Sequence, residues 1–370
     1  MVLVIDCFKL VRGAGKSIGI YNLALNLVRN LVKERERTQD ERIKECQIIV
    51  LGNAYNEQEF TIPGVEFICI HHNPRNKIRC IWWELFEVSV IAHKYKADKI
   101  LYPRGYAPIF KCAKEYIVVH DMIPFYYNEH YKGYFNGLEN LYIMWRLKAS
   151  IRTCDKVITI SEASRKDILN RVDVSSDKIE MIHNGYNRVD ELSTGVKKKD
   201  YIIAVTSKLP HKNAEGIIRA YETYYGKTEK PLKLYIIGID NVDEYHLKED
   251  VKAYVQCYKY IESNEEMHRM IAEARVFLFL SLIEGFGFPP IEAMQLGTPV
   301  ICSSISSLPE VVGNAAILVD PDNAVQVADA IVQLQHNQGR IEELTAKGYQ
   351  NIKRFSWDIT AVKYADLIMK

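Results

Sequence analysis

The chain has 370 residues, 48% hydrophobic and 26% charged, with a formal net charge of +1. That composition is globular rather than disordered and long enough for two packed cores. A charge so balanced gives no general case for nucleic-acid binding, and no apolar run approaches the ~20 residues of a membrane span.

Taken in order, apolar runs bounded by turns alternate with helical patterns, as a parallel α/β sheet requires. Val2 to Asp6 is the first strand. It begins without the basic and long apolar regions of a signal peptide, so a cytoplasmic location is expected, with surface contact to a membrane left open. A glycine loop, Arg12 to Gly19, leads into a helix from about Ser17 with Leu23, Leu27, Val28 and Leu31 on one face. Strands at 48–51 and 65–70 come next. The segment from Ile78 to Lys96, with Trp82, Trp83, Phe86 and Ile91, reads as one packed helix; its flanking basic residues leave a membrane-surface role as the alternative. Strand 99–102 ends in the loop Pro103, Arg104, Gly105, Tyr106. Strand 116–121 ends in His120 and Asp121, and the tyrosine-rich stretch to Ser150 is mostly helical. After strand 156–160, Ser161 suits a helix N-cap. A polar linker, Arg188 to Asp200, precedes a restart of the pattern: strand 201–205, the loop Lys208 to Asn213, a helix to about Tyr225, strands at 232–237 and 255–258, and a helix at 264–273. The eight cysteines are scattered with no C-x-x-C pair, and reduced core thiols are expected.

The stretch from Ala274 to Cys302 carries the most chemistry. An apolar strand leads into Glu284, Gly285, Phe286, Gly287 and Phe288; Pro289 and Pro290 suit a helix entrance, Gly297 its exit, and Val300 the next strand. The loop therefore sits at the carboxyl end of a strand, where open α/β sheets bind ligands. A helix N-terminus favours a phosphate, and glycines let backbone approach a ligand. Glu284 precedes the helix and can project into the cleft, and Glu292, near the first helical turn, can accept hydrogen bonds from paired hydroxyls such as a ribose presents. Two solvated glutamates by a tight turn would be the ordinary interpretation; the glycines, prolines and flanking strands favour a sugar nucleotide.

With these residues in hand, the stretch resembles the signature of glycosyltransferase family 4. Further segments in matching order are His120-Asp121-Met122-Ile123-Pro124, Ser161 to Ser164, His183-Asn184-Gly185, Pro210 to Asn213, Leu308-Pro309-Glu310 and Phe355-Ser356-Trp357. The resemblance implies an α/β chain of GT-B fold: two Rossmann-like domains facing a central cleft, with a C-terminal helix crossing back to the first. Residues 1–190 with 357–370 would bind the acceptor and 200–356 the nucleotide sugar. It implies a retaining, metal-independent transferase with no cofactor and no covalent nucleophile. Lys212 would meet the leaving diphosphate, Glu284 the transferred sugar, Glu292 the ribose and His120 the sugar ring. Gly285, Phe286, Gly287, Phe288, Lys208, Gly19 and Lys16 would complete the donor contacts, while Asp121, Arg104 and Tyr106 would touch the acceptor, a glycan or lipid-linked glycan. GDP-mannose is the first expectation for the donor and a UDP-sugar the second.

The sequence departs from the family pattern in its first loop. Ser17, Ile18, Gly19, Ile20 and Tyr21 stand where relatives commonly carry Gly-Ile-Gly-Arg-Tyr, and Lys16 is the nearest replacement cation. His211 stands where an arginine often precedes the diphosphate lysine, and Thr206 where another arginine occurs; Lys208 is close enough to compensate. Lys212 as a plain surface lysine and His120 as a core histidine satisfied by backbone are the alternatives to those roles. At the level of function the alternatives are a nucleotide-sugar 2-epimerase, which needs further acid/base carboxylates, and a non-catalytic nucleotide-sugar binder. A dehydrogenase fits least, since the glycine loop lacks the third glycine of G-x-G-x-x-G.

Overall fold

The computed structural model describes residues 1–12, 18–187 and 196–370. Gly13, Gly15, Lys16 and Ser17 of the glycine loop, and residues 188–195 of the linker, lie outside the described residues. The chain divides into two compact units. The first comprises Met1–Gly185 with Phe355–Lys370, and the second Tyr186–Arg354.

The first unit is built on seven parallel strands: β1 (Val2–Asp6), β2 (Gln47–Gly52), β3 (Val65–Cys69), β4 (Lys99–Tyr102), β5 (Lys114–Val119), β6 (Lys156–Thr159) and β7 (Ile179–Met181). They are ordered β3-β2-β1-β4-β5-β6-β7. The central runs are aliphatic and β-branched because they are covered on both faces; Leu3, Val4, Ile5, Ile100 and Leu101 have no exposed surface. Ile5 lies between Val50 and Leu101 in register. The chain builds outward from β1 on one side and from β4 on the other, so the strand order reverses between them. Their carboxyl ends therefore open a crevice.

The second unit repeats the plan with β8 (Lys199–Val205), β9 (Lys233–Ile237), β10 (Val255–Tyr258), β11 (Ala274–Phe279), β12 (Val300–Ser303) and β13 (Ala316–Val319), ordered β10-β9-β8-β11-β12-β13 and parallel. Here the reversal falls between β8 and β11, and the loops after these two strands become neighbours.

Two expected elements differ from the structure. The segment from Ile78 to Lys96 is a helix, Lys77–Trp82, then a wide π turn, Trp83–Glu87, then a helix, Val88–Lys94. The wide turn directs Trp83 and Glu84 inward. There Trp83 Nε1 donates to Asp6 at 3.1 Å and Glu84 pairs with Lys9 at 2.7 Å. Strand β5 stops at Val119, leaving His120 and Asp121 beyond its end. The tyrosine-rich stretch is mostly helical, as expected, in two helices, Ile123–His130 and Gly137–Thr153, the second capped by the Asn136 side chain.

The helix Trp357–Ile368 belongs to the first unit and packs on helix Ile18–Arg37. It buries Tyr364, Ala365, Ile368 and Met369 completely, pairs Asp358 with Arg37 at 2.9 Å, and directs the Thr360 hydroxyl to the His183 carbonyl at 2.8 Å. Gly185 is required where the chain leaves this unit, since a Cβ there would lie 2.5 Å from the backbone nitrogen of Trp357.

Candidate active site

In the second unit the crevice is formed by the loops at the carboxyl ends of β8 and β11. After β8 the chain makes a tight turn, Pro210–Lys212, and Asn213 adopts a left-handed conformation (φ 55°). Asn213 caps helix Ala214–Tyr225 by accepting from Gly216 N–H at 3.0 Å, while its own amide donates to the Leu280 carbonyl at 3.0 Å. The Thr206 hydroxyl donates to the Lys212 carbonyl at 2.8 Å, and Leu282 N–H donates to the His211 carbonyl at 2.8 Å. The turn is thereby stitched to the end of β11, which fixes where the Lys212 side chain starts. Its Nζ lies 2.6 Å from Glu284 Oε1 and 5.9 Å from the centre of the Phe279 ring. Two residues 72 positions apart in sequence are an ion pair because β8 and β11 are neighbours in the sheet.

The loop carrying Glu284 is held from below by serines. Glu284 N–H donates to Ser306 Oγ at 3.0 Å and its carbonyl accepts from that hydroxyl at 2.9 Å. Ser307 Oγ lies 3.0 and 2.7 Å from the carbonyls of Glu284 and Phe286. Gly287 has φ 113° and opens helix Phe288–Gln295, whose entrance has no side-chain cap. Its missing Cβ leaves room for Leu308 Cδ2, 2.6 Å from where that atom would be. Pro289 falls in the first turn, and Gly297 (φ 69°) comes after the last. Glu292 is the fifth residue of this helix, past its first turn. It is half-buried, its carboxylate has no hydrogen-bond or ion-pair partner among the described residues, and burial raises its pKa. Lys208 is engaged elsewhere, with Asp240 at 2.8 Å and Glu244 at 3.6 Å, so reaching a ligand would mean leaving that pair.

In the first unit, His120 stands just beyond β5. Its Nε2 lies 2.8 Å from the Pro103 carbonyl. A carbonyl only accepts, so Nε2 carries the proton and Nδ1 is the acceptor. Burial lowers its pKa to about 4, with the Arg104 charge adding to the effect and the Pro103 bond opposing it, so the ring is neutral at pH 7. The Ser164 hydroxyl donates to the His120 carbonyl at 2.9 Å, and Ser161 accepts from Ser164 N–H at 3.1 Å. Asp121 accepts from Ile123 N–H at 3.0 Å, turning the chain into the next helix. Arg104 and Tyr106 occupy the loop after β4, and both are half-buried. Gly19 is an exposed position at the start of helix Ile18–Arg37, with open space around it.

The structure thus joins Lys212 to Glu284 and groups His120 with Arg104 and Tyr106. Several residues around these groups carry little or no signal in the sequence. Ser306 and Ser307 are legible there only as part of a turn, although they hold the glutamate loop. Asp6 has only the signature of a strand end; burial raises its pKa to about 6, and the Trp83 and Phe8 N–H groups hold its carboxylate. Arg146 is buried in helix Gly137–Thr153 without a sequence signal. Among the described residues no group of three or more His, Cys, Asp or Glu side chains is arranged to hold a metal ion.

The chain is similar to known proteins in sequence and in fold. O-antigen chain mannosyltransferase RfbU of Salmonella typhimurium is 31% identical over 228 residues, a match spanning 59% of this chain and 60% of that protein. Sucrose-phosphate synthase of Thermosynechococcus elongatus superposes over 99% of this chain and 98% of its own, with a TM-score of 0.72 at 16% identity. HepE of Anabaena, solved with UDP and glucose, covers 99% of each chain with a TM-score of 0.68 at 16% identity. The fold is GT-B, two parallel-sheet Rossmann-like domains. The family model for Glycosyltransferase Family 4 matches residues 26–189 and that for Glycosyl transferases group 1 matches residues 190–354, and across those two regions the chain belongs to glycosyltransferase family 4.

Proposed function

We propose that the chain is a retaining, metal-independent glycosyltransferase that moves a sugar from a nucleotide sugar to a hydroxyl of a glycan or lipid-linked glycan. The observation that carries this reading is the Lys212–Glu284 pair at 2.6 Å beside an uncapped helix entrance. A fixed cation and a helix dipole suit a diphosphate, and in the reaction Lys212 neutralises charge on the leaving nucleoside diphosphate. Donor phosphate takes the place of Glu284 on Lys212, freeing the carboxylate for a sugar hydroxyl. Gly285 to Phe288 line the sugar, and Glu292 takes the ribose hydroxyls. His120, neutral and with Nδ1 as acceptor, takes a hydroxyl of the transferred sugar. The acceptor hydroxyl attacks on the face the diphosphate leaves, with departing phosphate oxygen accepting its proton. GDP-mannose is the first donor choice, supported by the name of the Salmonella relative. A UDP-sugar is second, supported by the UDP and glucose held by HepE.

The acceptor's lipid carrier would bring the protein to the inner face of a membrane. Exposed Leu138, Leu141 and Trp145 at helical spacing, with exposed Ile78 and Trp82 on a neighbouring helix, support a peripheral contact there. Lys77 and Glu139 connect the two helices at 3.3 Å. Among the described residues no helix is long and apolar enough to cross a membrane.

The test is turnover of a nucleotide-sugar panel by the purified chain, with the product anomer read by NMR. Retained configuration and indifference to EDTA are expected. Lys212→Ala should lower kcat by about 100- to 1000-fold, the usual loss for one transition-state charge contact, with an unchanged circular dichroism spectrum. Activity abolished by EDTA, or a Lys212→Ala enzyme of normal kcat, would overturn the mechanism.

A further inference from the structure

The loop after β4 is pinned from three directions. His120 Nε2 donates to the Pro103 carbonyl at 2.8 Å, Arg146 Nη2 donates to the Ala107 carbonyl at 2.5 Å, and Ala107 N–H donates to Ser150 Oγ at 2.9 Å. Between these points, Gly105 takes φ 80° and its N–H closes a turn on the Tyr102 carbonyl at 3.1 Å. A loop so fixed presents Arg104 from a rigid base, yet Arg104 has no polar partner among the described residues. Its guanidinium makes no hydrogen bond or ion pair among the described residues, and its Nε is sealed from water without an acceptor. Arg146, only 3% exposed, likewise has a sealed Nε without an acceptor, and no carboxylate partner among the described residues.

The surrounding acids are committed. Glu84 pairs with Lys9 at 2.7 Å, Asp6 accepts from Trp83 and Phe8, and Asp121 accepts from Ile123 N–H. Both arginines act on Tyr106, so they share one neighbourhood. An arginine cannot shed its charge in a protein, and a partly buried cation without a counter-ion is destabilising. The planar fork of a guanidinium matches the two oxygens of a carboxylate or phosphate.

We propose that Arg104, with Arg146 behind the same loop, forms a site for an oxyanion carried by the acceptor, a carboxylate or a phosphate group. This rests on the reading of the first unit as the acceptor-binding half, and it specifies the acceptor as anionic. The Nη atoms of Arg104 grip the oxyanion, and Arg146 adds its charge from beneath.

The test uses the full chain labelled with 15N at arginine side chains. Glucuronic acid, glucose 1-phosphate and neutral glucose are titrated separately, with GDP and UDP as donor-side probes. One or both anionic sugars should shift the Arg104 Nε–H resonance and glucose should not; which of the two binds identifies carboxylate or phosphate. Arg104→Lys should weaken that binding about tenfold and Arg104→Gln about tenfold to a hundredfold, the range of a charge-assisted hydrogen bond. Neither variant should melt below the parent, because no hydrogen bond or ion pair among the described residues is lost, and nucleoside diphosphate affinity should stay the same. Binding of neither anion, equal anion binding by Arg104→Gln, or a parallel loss of GDP or UDP affinity would each overturn the inference. Turnover of a nucleotide sugar without anion binding would sink this inference alone. Anion binding at Arg104 in a protein that turns over no nucleotide sugar would sink the transferase reading and leave the oxyanion site standing.

Discussion

Glu284 and Glu292 are both carboxylates of one loop and helix, yet they are in opposite states. Glu284 has a cation at 2.6 Å; Glu292 is half-buried, has no partner among the described residues, and has a raised pKa through burial. A carboxyl whose folded pKa exceeds its unfolded value binds more protons when folded, so its contribution to stability is lost as pH rises through the folded pKa. Ionising it is therefore costly in the unliganded protein, whose stability falls as pH rises. Glu292→Gln should raise Tm at pH 7, by about 2–4 °C for each kcal/mol relieved, with the gain shrinking toward pH 4. The same change should weaken binding of the donor's nucleotide about tenfold, the value of one good hydrogen bond to a charged group. Calorimetry of GDP and UDP binding checks the second half, and unchanged affinity for both would remove Glu292 from the ribose. The sequence marks both glutamates but cannot separate these states. The partner of Glu284 lies 72 residues away, and only strand order brings it close.

Among elements, the strand, loop and helix from β11 to Gly297 is the most legible in the sequence, because its glycines, prolines and apolar flanks each have a local conformational cause. The illegible parts depend on residues elsewhere in the chain. Ser306 and Ser307 hold the Glu284 loop through carbonyls of that loop, and serines near a turn carry no mark of such a role. The π turn at Trp83–Glu87 leaves no trace in helical periodicity, since it displaces the apolar stripe only slightly while turning Glu84 inward. Gly287 connects the legible part to the hidden part. Its φ of 113° and the Leu308 side chain filling its missing Cβ mean that Gly287→Ala must strain both the loop and the serine turn. A cost of about 1–3 kcal/mol is expected, read as a lower urea midpoint, with a raised KM for the nucleotide sugar. A variant as stable as the parent would show that the loop relaxes freely and that its shape is not fixed by this glycine.

For the whole molecule, the two units differ in how the chain builds them. The second is a single run, Tyr186–Arg354, while the first is completed by Phe355–Lys370. Burying Tyr364, Ile368 and Met369 stabilises the first unit by roughly 1.5–3 kcal/mol per large side chain. Ending the chain at Arg354 should therefore lower or abolish one calorimetric transition and leave the other in place. Loss of both together would mean that the units do not melt independently.

That division also sets an order of events during synthesis. The ribosome makes all of residues 186–354 after Gly185 and before the helix that completes the first unit. At about 5–20 residues per second this interval lasts roughly 10 to 30 seconds. Throughout it, the apolar face of helix Ile18–Arg37 that receives the last helix lacks that cover, and transiently exposed apolar surface of this kind favours aggregation. The second unit is one uninterrupted run, whereas the first is completed only by a segment made after that run.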